Sequence, residues 1–171
     1  MFKTKLHQIK HFMFDVDGVL TNGTVTLLPN GEQVRVMHTK DGFALQHAVK
    51  KGYHIHIISG GKSEAVRERL ALLGVKSIHL GVSRKIEKYE DLKLEFEFRD
   101  DEVLYMGDDL PDFEVMSKVG LAACPSDSAH EIRSIASYIS PYKGGEGCVR
   151  DIIEQTLRLQ KKWFDEDAMS W

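Results

Sequence analysis

The sequence predicts an α/β fold, a doubly wound and mainly parallel sheet with helices on both faces. Three observations predict it. Short apolar runs rich in β-branched residues alternate with helical periodicities along the 171 residues. Strands that alternate with helices are joined by right-handed crossovers, which makes them parallel. The polar signals recur at strand ends: Asp15 and Asp17 after the first strand, Ser59 and Gly60 after another, Asp108 and Asp109 after a later one. Open α/β sheets bind ligands beyond those carboxyl ends.

Each element has a local reason. Phe12 to Phe14 is an apolar run that reads as a buried strand, and Gly18 lets the chain turn out of it. Thr24 to Leu28 and Gln33 to His38 alternate in polarity around Pro29-Asn30-Gly31, a turn signal, and predict a projecting hairpin over about 24–38. Asp41 can cap a helix running to about Lys51, with Phe43, Leu45, Ala48 and Val49 on its apolar face and Gly52 ending it. Tyr53 to Ile58 is the next strand. Ser63 can cap a helix carrying Ala65, Val66, Leu70 and Leu73, stopped by Gly74. Ser77 to Leu80 reads as a short strand, Arg84 to Phe96 as a helix, and Val103 to Met106 as a buried strand. Leu110 to Lys118 predicts a short helix starting at Pro111. Gly120 to Cys124 is a small strand, Asp127 or Ser128 opens a helix to about Ile135, and Tyr138-Ile139 is the last strand. The loop Lys143-Gly144-Gly145-Glu146-Gly147 precedes a helix from Cys148 to about Lys162. Trp163 to Trp171 reads either as a disordered tail or as a segment that contacts a neighbouring subunit.

Composition bounds the function. A length of 171 residues with 42% hydrophobic and 29% charged residues predicts one domain over residues 1–171 with a full core, the C-terminal helix and tail covering about 148–171. A net charge of −3 argues against a broad nucleic-acid surface. Cys124 and Cys148 have no metal-ligand spacing and suit a reducing compartment. Met1 to Lys10 lacks the apolar core of a signal peptide, and no apolar run approaches a membrane span. The expectation is a soluble cytoplasmic protein with no nucleic-acid or membrane partner.

Asp15 and Asp17 lie one residue apart at a strand end, so their side chains can share a face. Carboxylates that close repel unless a cation lies between them, and all-oxygen ligands suit Mg²⁺. A solvated Asp-rich turn is the other reading of this pair alone. Asp108 offers a third carboxylate, Ser59 with the amides of Gly60 and Gly61 can cradle an oxyanion, and Lys85 adds a positive charge. Such a set suits phosphoryl transfer. His54 and His56 share a strand face and read as packing, since a third metal ligand is lacking.

Asp15-Val16-Asp17-Gly18-Val19-Leu20-Thr21, Ser59, Lys85 and Gly107-Asp108-Asp109-Leu110-Pro111-Asp112 resemble, in order, the four motifs of the haloacid dehalogenase superfamily of phosphatases. The resemblance implies a Rossmann-like core with Asp15 as nucleophile and Asp17 as general acid and base. It implies Mg²⁺ held by Asp15, Asp108 and the backbone carbonyl of Asp17, with Asp109 and Asp112 in support. Ser59, Gly60 and Lys85 would bind the phosphoryl group. Only about forty residues separate Asp17 from Ser59, so the chain resembles capless members. Within these it is similar to the phosphatases of 3-deoxy-D-manno-octulosonate 8-phosphate, a lipopolysaccharide precursor. That similarity rests on the hairpin, His38-Thr39-Lys40-Asp41-Gly42, Ser59-Gly60-Gly61-Lys62, Arg69 and the Gly144 to Arg150 stretch. It implies a homotetramer built through the hairpins, a sugar-acid phosphate as substrate, and substrate contacts from His38, Thr39, Lys40, Asp41, Gly42, Gln46, Gly61 and Arg69. Gly61, Gln46 and Glu146 stand where many members carry Arg. The Gly-Gly-Glu-Gly loop resembles the phosphatases of 2-keto-3-deoxy-D-glycero-D-galacto-nononate 9-phosphate instead. A receiver-like module and an oligomerisation module are the non-enzyme alternatives.

Overall fold

The computed structural model describes residues 1–171. In chain order the elements are α1 (Phe2–Lys5), β1 (His11–Phe14), β2 (Thr26–Leu27), β3 (Gln33–Val34), α2 (Thr39–Lys50), β4 (His54–Ile58), α3 (Glu64–Leu72), β5 (Ser77–His79), α4 (Lys85–Phe96), β6 (Val103–Met106), α5 (Phe113–Met116), β7 (Leu121–Cys124), α6 (His130–Ile135), β8 (Tyr138–Ile139) and α7 (Cys148–Leu159). Six strands form one sheet in the order β5-β4-β1-β6-β7-β8, every pair parallel. No helix is long and apolar enough to cross a membrane.

Alternation along the strands divides the core between the two faces. Phe12, Phe14, Leu104 and Met106 face one side, against Leu45 of α2 and Ile152 and Ile153 of α7. Met13, Val103 and Tyr105 face the other, against Tyr89 and Leu92 of α4 and Ile132 of α6. Phe14 pairs with both Ile57 and Met106, so β1 and β6 end level and β4 ends within one residue of them, at Ile58. Level ends bring Asp15, Ser59 and Asp108 to one rim of the sheet.

Several boundaries differ from the sequence expectation. Helix α2 is capped by His38, whose Nδ1 accepts the Lys40 N–H at 3.2 Å, and not by Asp41. The Asp41 carboxylate is instead drawn inward to accept the Arg150 N–H of α7 at 2.7 Å. Only two residues of each hairpin strand pair, because the hairpin stands off the sheet without a third strand to extend it. Leu110–Asp112 forms a tight 3₁₀ turn capped by Asp109, leaving only Phe113–Met116 as α-helix. Helix α6 begins at His130 and α7 ends at Leu159. The C-terminal segment folds back on its own α2. Trp163 is buried, its carbonyl lies 2.9 Å from His47 Nε2, Lys50 donates to the Ser170 carbonyl at 3.0 Å, and Lys51 pairs with Asp165.

A row of histidines crosses the second face of the sheet. His11 Nδ1 lies 3.1 Å from His56 Nε2, His56 Nδ1 lies 2.8 Å from Ser77 Oγ, and that hydroxyl lies 2.9 Å from His79 Nε2. The rings stack among themselves and meet Phe96 edge-on and Phe98 at a tilt, so the His54 and His56 pair is packing, as expected. Burial, then the neighbouring His11 and His54, pushes His56 down to about 3; burial, then His54, pushes His11 down to about 4. A histidine held neutral in the fold gains its proton in the unfolded chain first. Its full stabilisation is therefore present above about pH 6.5 and is lost as pH falls, at about 1.4 kcal/mol per unit for each histidine. Urea unfolding at pH 7.5 and pH 5.0 should show His56→Gln losing about 2 kcal/mol less than the parent over that interval. Equal losses would contradict a neutral buried His56.

Candidate active site

The site begins where β1 ends. After Asp15 the chain does not continue as strand: Asp17 adopts φ −70° and ψ 119°, and Gly18 adopts φ +87°. A Cβ on Gly18 would stand 1.9 Å from Asp108 Oδ2, so glycine both makes the turn and admits the facing carboxylate. The turn is closed by the Thr21 N–H donating to the Val16 carbonyl at 3.1 Å. Gly144 of the Lys143–Gly147 loop packs directly on it, with its missing Cβ only 1.9 Å from the Gly18 carbonyl oxygen.

Three acidic side chains meet there. Asp15, Asp108 and Asp112 each offer an oxygen, and these atoms all lie within 4.8 Å of one another. Lys85 Nζ bridges two of them, 2.8 Å from Asp15 Oδ2 and 2.7 Å from Asp112 Oδ1. Lys85 is the first residue of α4, where the helix macrodipole disfavours a cation. Burial would lower its pKa further, but the Asp15 and Asp112 carboxylates outweigh it and hold the pKa raised.

Asp112 is fully buried and fully engaged. Its Oδ1 also accepts Tyr105 O–H at 2.6 Å, and its Oδ2 accepts the amides of Asp108 at 3.0 Å and Asp109 at 3.3 Å. It therefore orients Lys85 and the Asp108 loop. Asp109 is exposed, accepts the Leu110 N–H at 2.8 Å, and stands outside the cluster. Asp108 Oδ1 is buried with no hydrogen-bond partner. Burial, then Asp15 and Asp112, pushes the Asp108 carboxyl up to about 8; burial pushes Asp15 up to about 6 against the pull of Lys85. Crowded oxygen donors with one orphaned atom fit a hard divalent cation such as Mg²⁺.

Ser59 follows β4 at the same rim. It is buried, and its Oγ accepts the Gly61 N–H at 3.2 Å. Ser63 caps α3, accepting the Val66 N–H at 3.4 Å, so Gly60 and Gly61 lie just ahead of a helix N-terminus. The arrangement can bind a phosphoryl group between Ser59 and Lys85, next to a carboxylate able to attack it.

The remaining sequence candidates fall in different places. Gly61 and Arg69 line a cleft of about 780 Å³ between the hairpin and the start of α3. Gly42 meets Arg69 from the other side, with its absent Cβ 2.8 Å from the Arg69 Nη2. His38 and Lys40 line a second cleft of about 430 Å³ with Glu146 and Arg150. Thr39 is exposed, whereas Asp41 is buried and tied to α7. Gln46 has a buried Oε1 without a partner. Two residues at the site escaped the sequence reading. Tyr105 looked like core because its strand is apolar throughout. Arg35 fell within the hairpin strand Gln33 to His38 with no role of its own, yet its guanidinium pairs with Asp17, Nε to Oδ1 at 2.6 Å and Nη2 to Oδ2 at 3.0 Å.

No family model matches the chain. The 3-deoxy-D-manno-octulosonate 8-phosphate phosphatase of Salmonella typhi is 34% identical over 167 residues, 98% of this chain and 89% of that protein. A putative haloacid dehalogenase superfamily hydrolase (subfamily III A) from Legionella pneumophila superposes with a TM-score of 0.92 at 31% identity, covering 98% of this chain and 91% of that one. The 3-deoxy-D-manno-octulosonate 8-phosphate phosphatase of Moraxella catarrhalis, solved with magnesium, phosphate and the sugar acid, superposes with a TM-score of 0.90 at 30% identity, covering 93% and 91%.

Proposed function

Since the chain belongs to the family of 3-deoxy-D-manno-octulosonate 8-phosphate phosphatases, within the haloacid dehalogenase superfamily, we propose that its acidic cluster performs that family's hydrolysis. The enzyme is a Mg²⁺-dependent phosphoric monoester hydrolase that releases the free sugar acid and phosphate, a step in making lipopolysaccharide precursors. The observation that carries the reading is the meeting of Asp15, Asp108, Asp112 and Lys85 beside Ser59.

Asp15 and Asp108, with the Asp17 carbonyl, would hold Mg²⁺. The ion supplies positive charge against the phosphoryl oxygens and the crowded carboxylates. Ser59, the Gly60 amide and Lys85 grip the phosphoryl group. An Asp15 carboxylate oxygen attacks phosphorus, the bond to the sugar oxygen breaks, and Asp17 gives that oxygen a proton. The resulting aspartyl phosphate is attacked by water, which yields its proton to Asp17, and phosphate leaves. Asp112 and Tyr105 keep Lys85 and the Asp108 loop in place.

A phosphate-release screen across eight- and nine-carbon ketosugar-acid phosphates, with and without Mg²⁺, tests the substrate. Turnover is expected on the eight-carbon ester and only with the metal. Preference for the nine-carbon ester would assign the substrate that the Glu146 loop resembles. Metal ligation requires Asp108 and Asp15 to give up protons, at about 8 and about 6. Mg²⁺ should therefore raise Tm more at pH 8 than at pH 5.5; an equal gain at both would argue against these ligands.

The assembly proposed is a homotetramer. Supporting it, the hairpin leaves Leu27, Val34 and Val36 exposed, apolar side chains without cover in one chain. Light scattering on the purified protein should report four copies; a monomer would overturn it. The buried free thiols Cys124 and Cys148 fit a cytoplasmic setting.

A further inference from the structure

Arg35 lies on the return strand of the hairpin, an element that is otherwise open to solvent, yet its side chain is only 6% exposed. Both Asp17 carboxylate oxygens accept from its fork, at 2.6 and 3.0 Å. The guanidinium is aimed by its own strand as well, since Nη1 reaches the Gln33 carbonyl at 3.4 Å and Nη2 reaches Gln33 Oε1 at 3.3 Å. It is therefore held in place and is not a wandering surface cation.

The space it fills belongs to the phosphoryl cradle. A Cβ built on Gly61 would stand 3.2 Å from Arg35 Nη2, 3.4 Å from Asp17 Oδ2 and 3.6 Å from Ser59 Oγ. Glycine at 61 thus leaves the room that the hairpin guanidinium enters beside Asp17, with the Ser59 hydroxyl within reach of the same glycine. Asp17 cannot present a free oxygen to a leaving group while both are engaged by Arg35. A phosphate ester entering beside Ser59 brings oxygens that match the same planar fork.

We propose that Arg35 is a substrate-binding residue which, on substrate entry, hands its fork from Asp17 to the phosphate ester, freeing the Asp17 carboxylate to take up a proton from solvent and pass it to the leaving oxygen. This rests on the phosphatase reading above. In it the hairpin is part of the catalytic cleft and couples substrate arrival to the availability of the acid. Gly61 is the position from which a guanidinium could be supplied instead.

Arg35→Gln, Arg35→Lys and the double variant Arg35→Gln with Gly61→Arg test the proposal with Mg²⁺ present. Arg35→Gln should raise KM for the phosphorylated sugar acid about tenfold or more. Arg35→Lys, which keeps the charge without the fork, should fall between it and the parent. The double variant should recover most of the loss. Inorganic phosphate binding by calorimetry, which needs no turnover, should weaken by a similar factor in Arg35→Gln. Unchanged phosphate affinity and KM in Arg35→Gln overturn the proposal, as does a double variant no better than the single one. If Arg35→Gln fails to fold, Arg35→Lys decides alone: parental KM and phosphate affinity overturn the proposal. An inert parent enzyme that still binds phosphate through Arg35 would overturn the phosphatase reading and, with it, the release of Asp17, leaving only the Arg35 contact to phosphate.

Discussion

Asp15→Asn will lose phosphate release by a factor on the order of 10⁴ or more while remaining folded. The amide is nearly isosteric, so the turn that follows β1 is kept. What disappears is the anion that the proposed mechanism sets against phosphorus, and no neighbour can replace it. Asp112 is saturated by Lys85, Tyr105 and two amides, and Asp17 serves the leaving oxygen. The stability effect should run the other way. Burial makes ionised Asp15 costly, which is why its carboxyl is pushed up to about 6. Thermal melts at pH 7.5 in a chelator should therefore show the variant at or above the parent Tm. The Mg²⁺-dependent gain should shrink, because one ligand is gone. Turnover at the parental rate by Asp15→Asn, with Mg²⁺ dependence intact, would remove Asp15 from the nucleophile role.

Lys85→Met is expected to damage both stability and rate. The methionine replaces the lysine stem but not the ammonium that joins Asp15 to Asp112. Removing one member of a buried ionic cluster strands the others, at about 3–5 kcal/mol. For a chain of this size that is a fall in Tm of roughly 6–20 °C. The loss should depend on pH with a definite sign. Carboxyls whose folded pKa is raised, Asp15 to about 6 and Asp108 to about 8, hold protons that the unfolded chain has released. Their contribution favours the fold at low pH and turns against it as pH climbs through those values. Without Lys85 this penalty deepens, so the gap between variant and parent should be wider at pH 8 than at pH 5.5. Turnover should fall about 100- to 1000-fold, since the phosphoryl group loses a direct cation. A gap in Tm that does not change with pH would mean that Lys85 does not counter these carboxylates.

The legible parts of the molecule were those governed by local rules. Alternating apolar runs and glycine stops predicted the parallel sheet, and carboxylates placed after strands predicted the rim where Asp15, Ser59 and Asp108 gather. Caps were legible only where no distant partner competed. Ser63 caps α3 as expected, but Asp41 was drawn away to the Arg150 amide of α7, and His38 took its place. The tail is ordered and not the disordered segment that is one reading of its sequence: Trp163 packs on His47 of α2 and Lys51, just past that helix, pairs with Asp165, contacts between segments more than a hundred residues apart.

By itself the amino-acid order determined the sheet, the turn at Gly18 and the identity of the acidic groups and the lysine, because strand period, glycine freedom and side-chain chemistry are properties of neighbouring residues. Only the tertiary structure decided how those charges are shared. Lys85 lies between Asp15 and Asp112, Tyr105 supports Asp112 from within an apolar strand, and Arg35 reaches from the hairpin to Asp17 past a glycine. Which of several carboxylates a buried cation meets depends on separations of a few ångström in a low dielectric, and those separations exist only after the strands have paired.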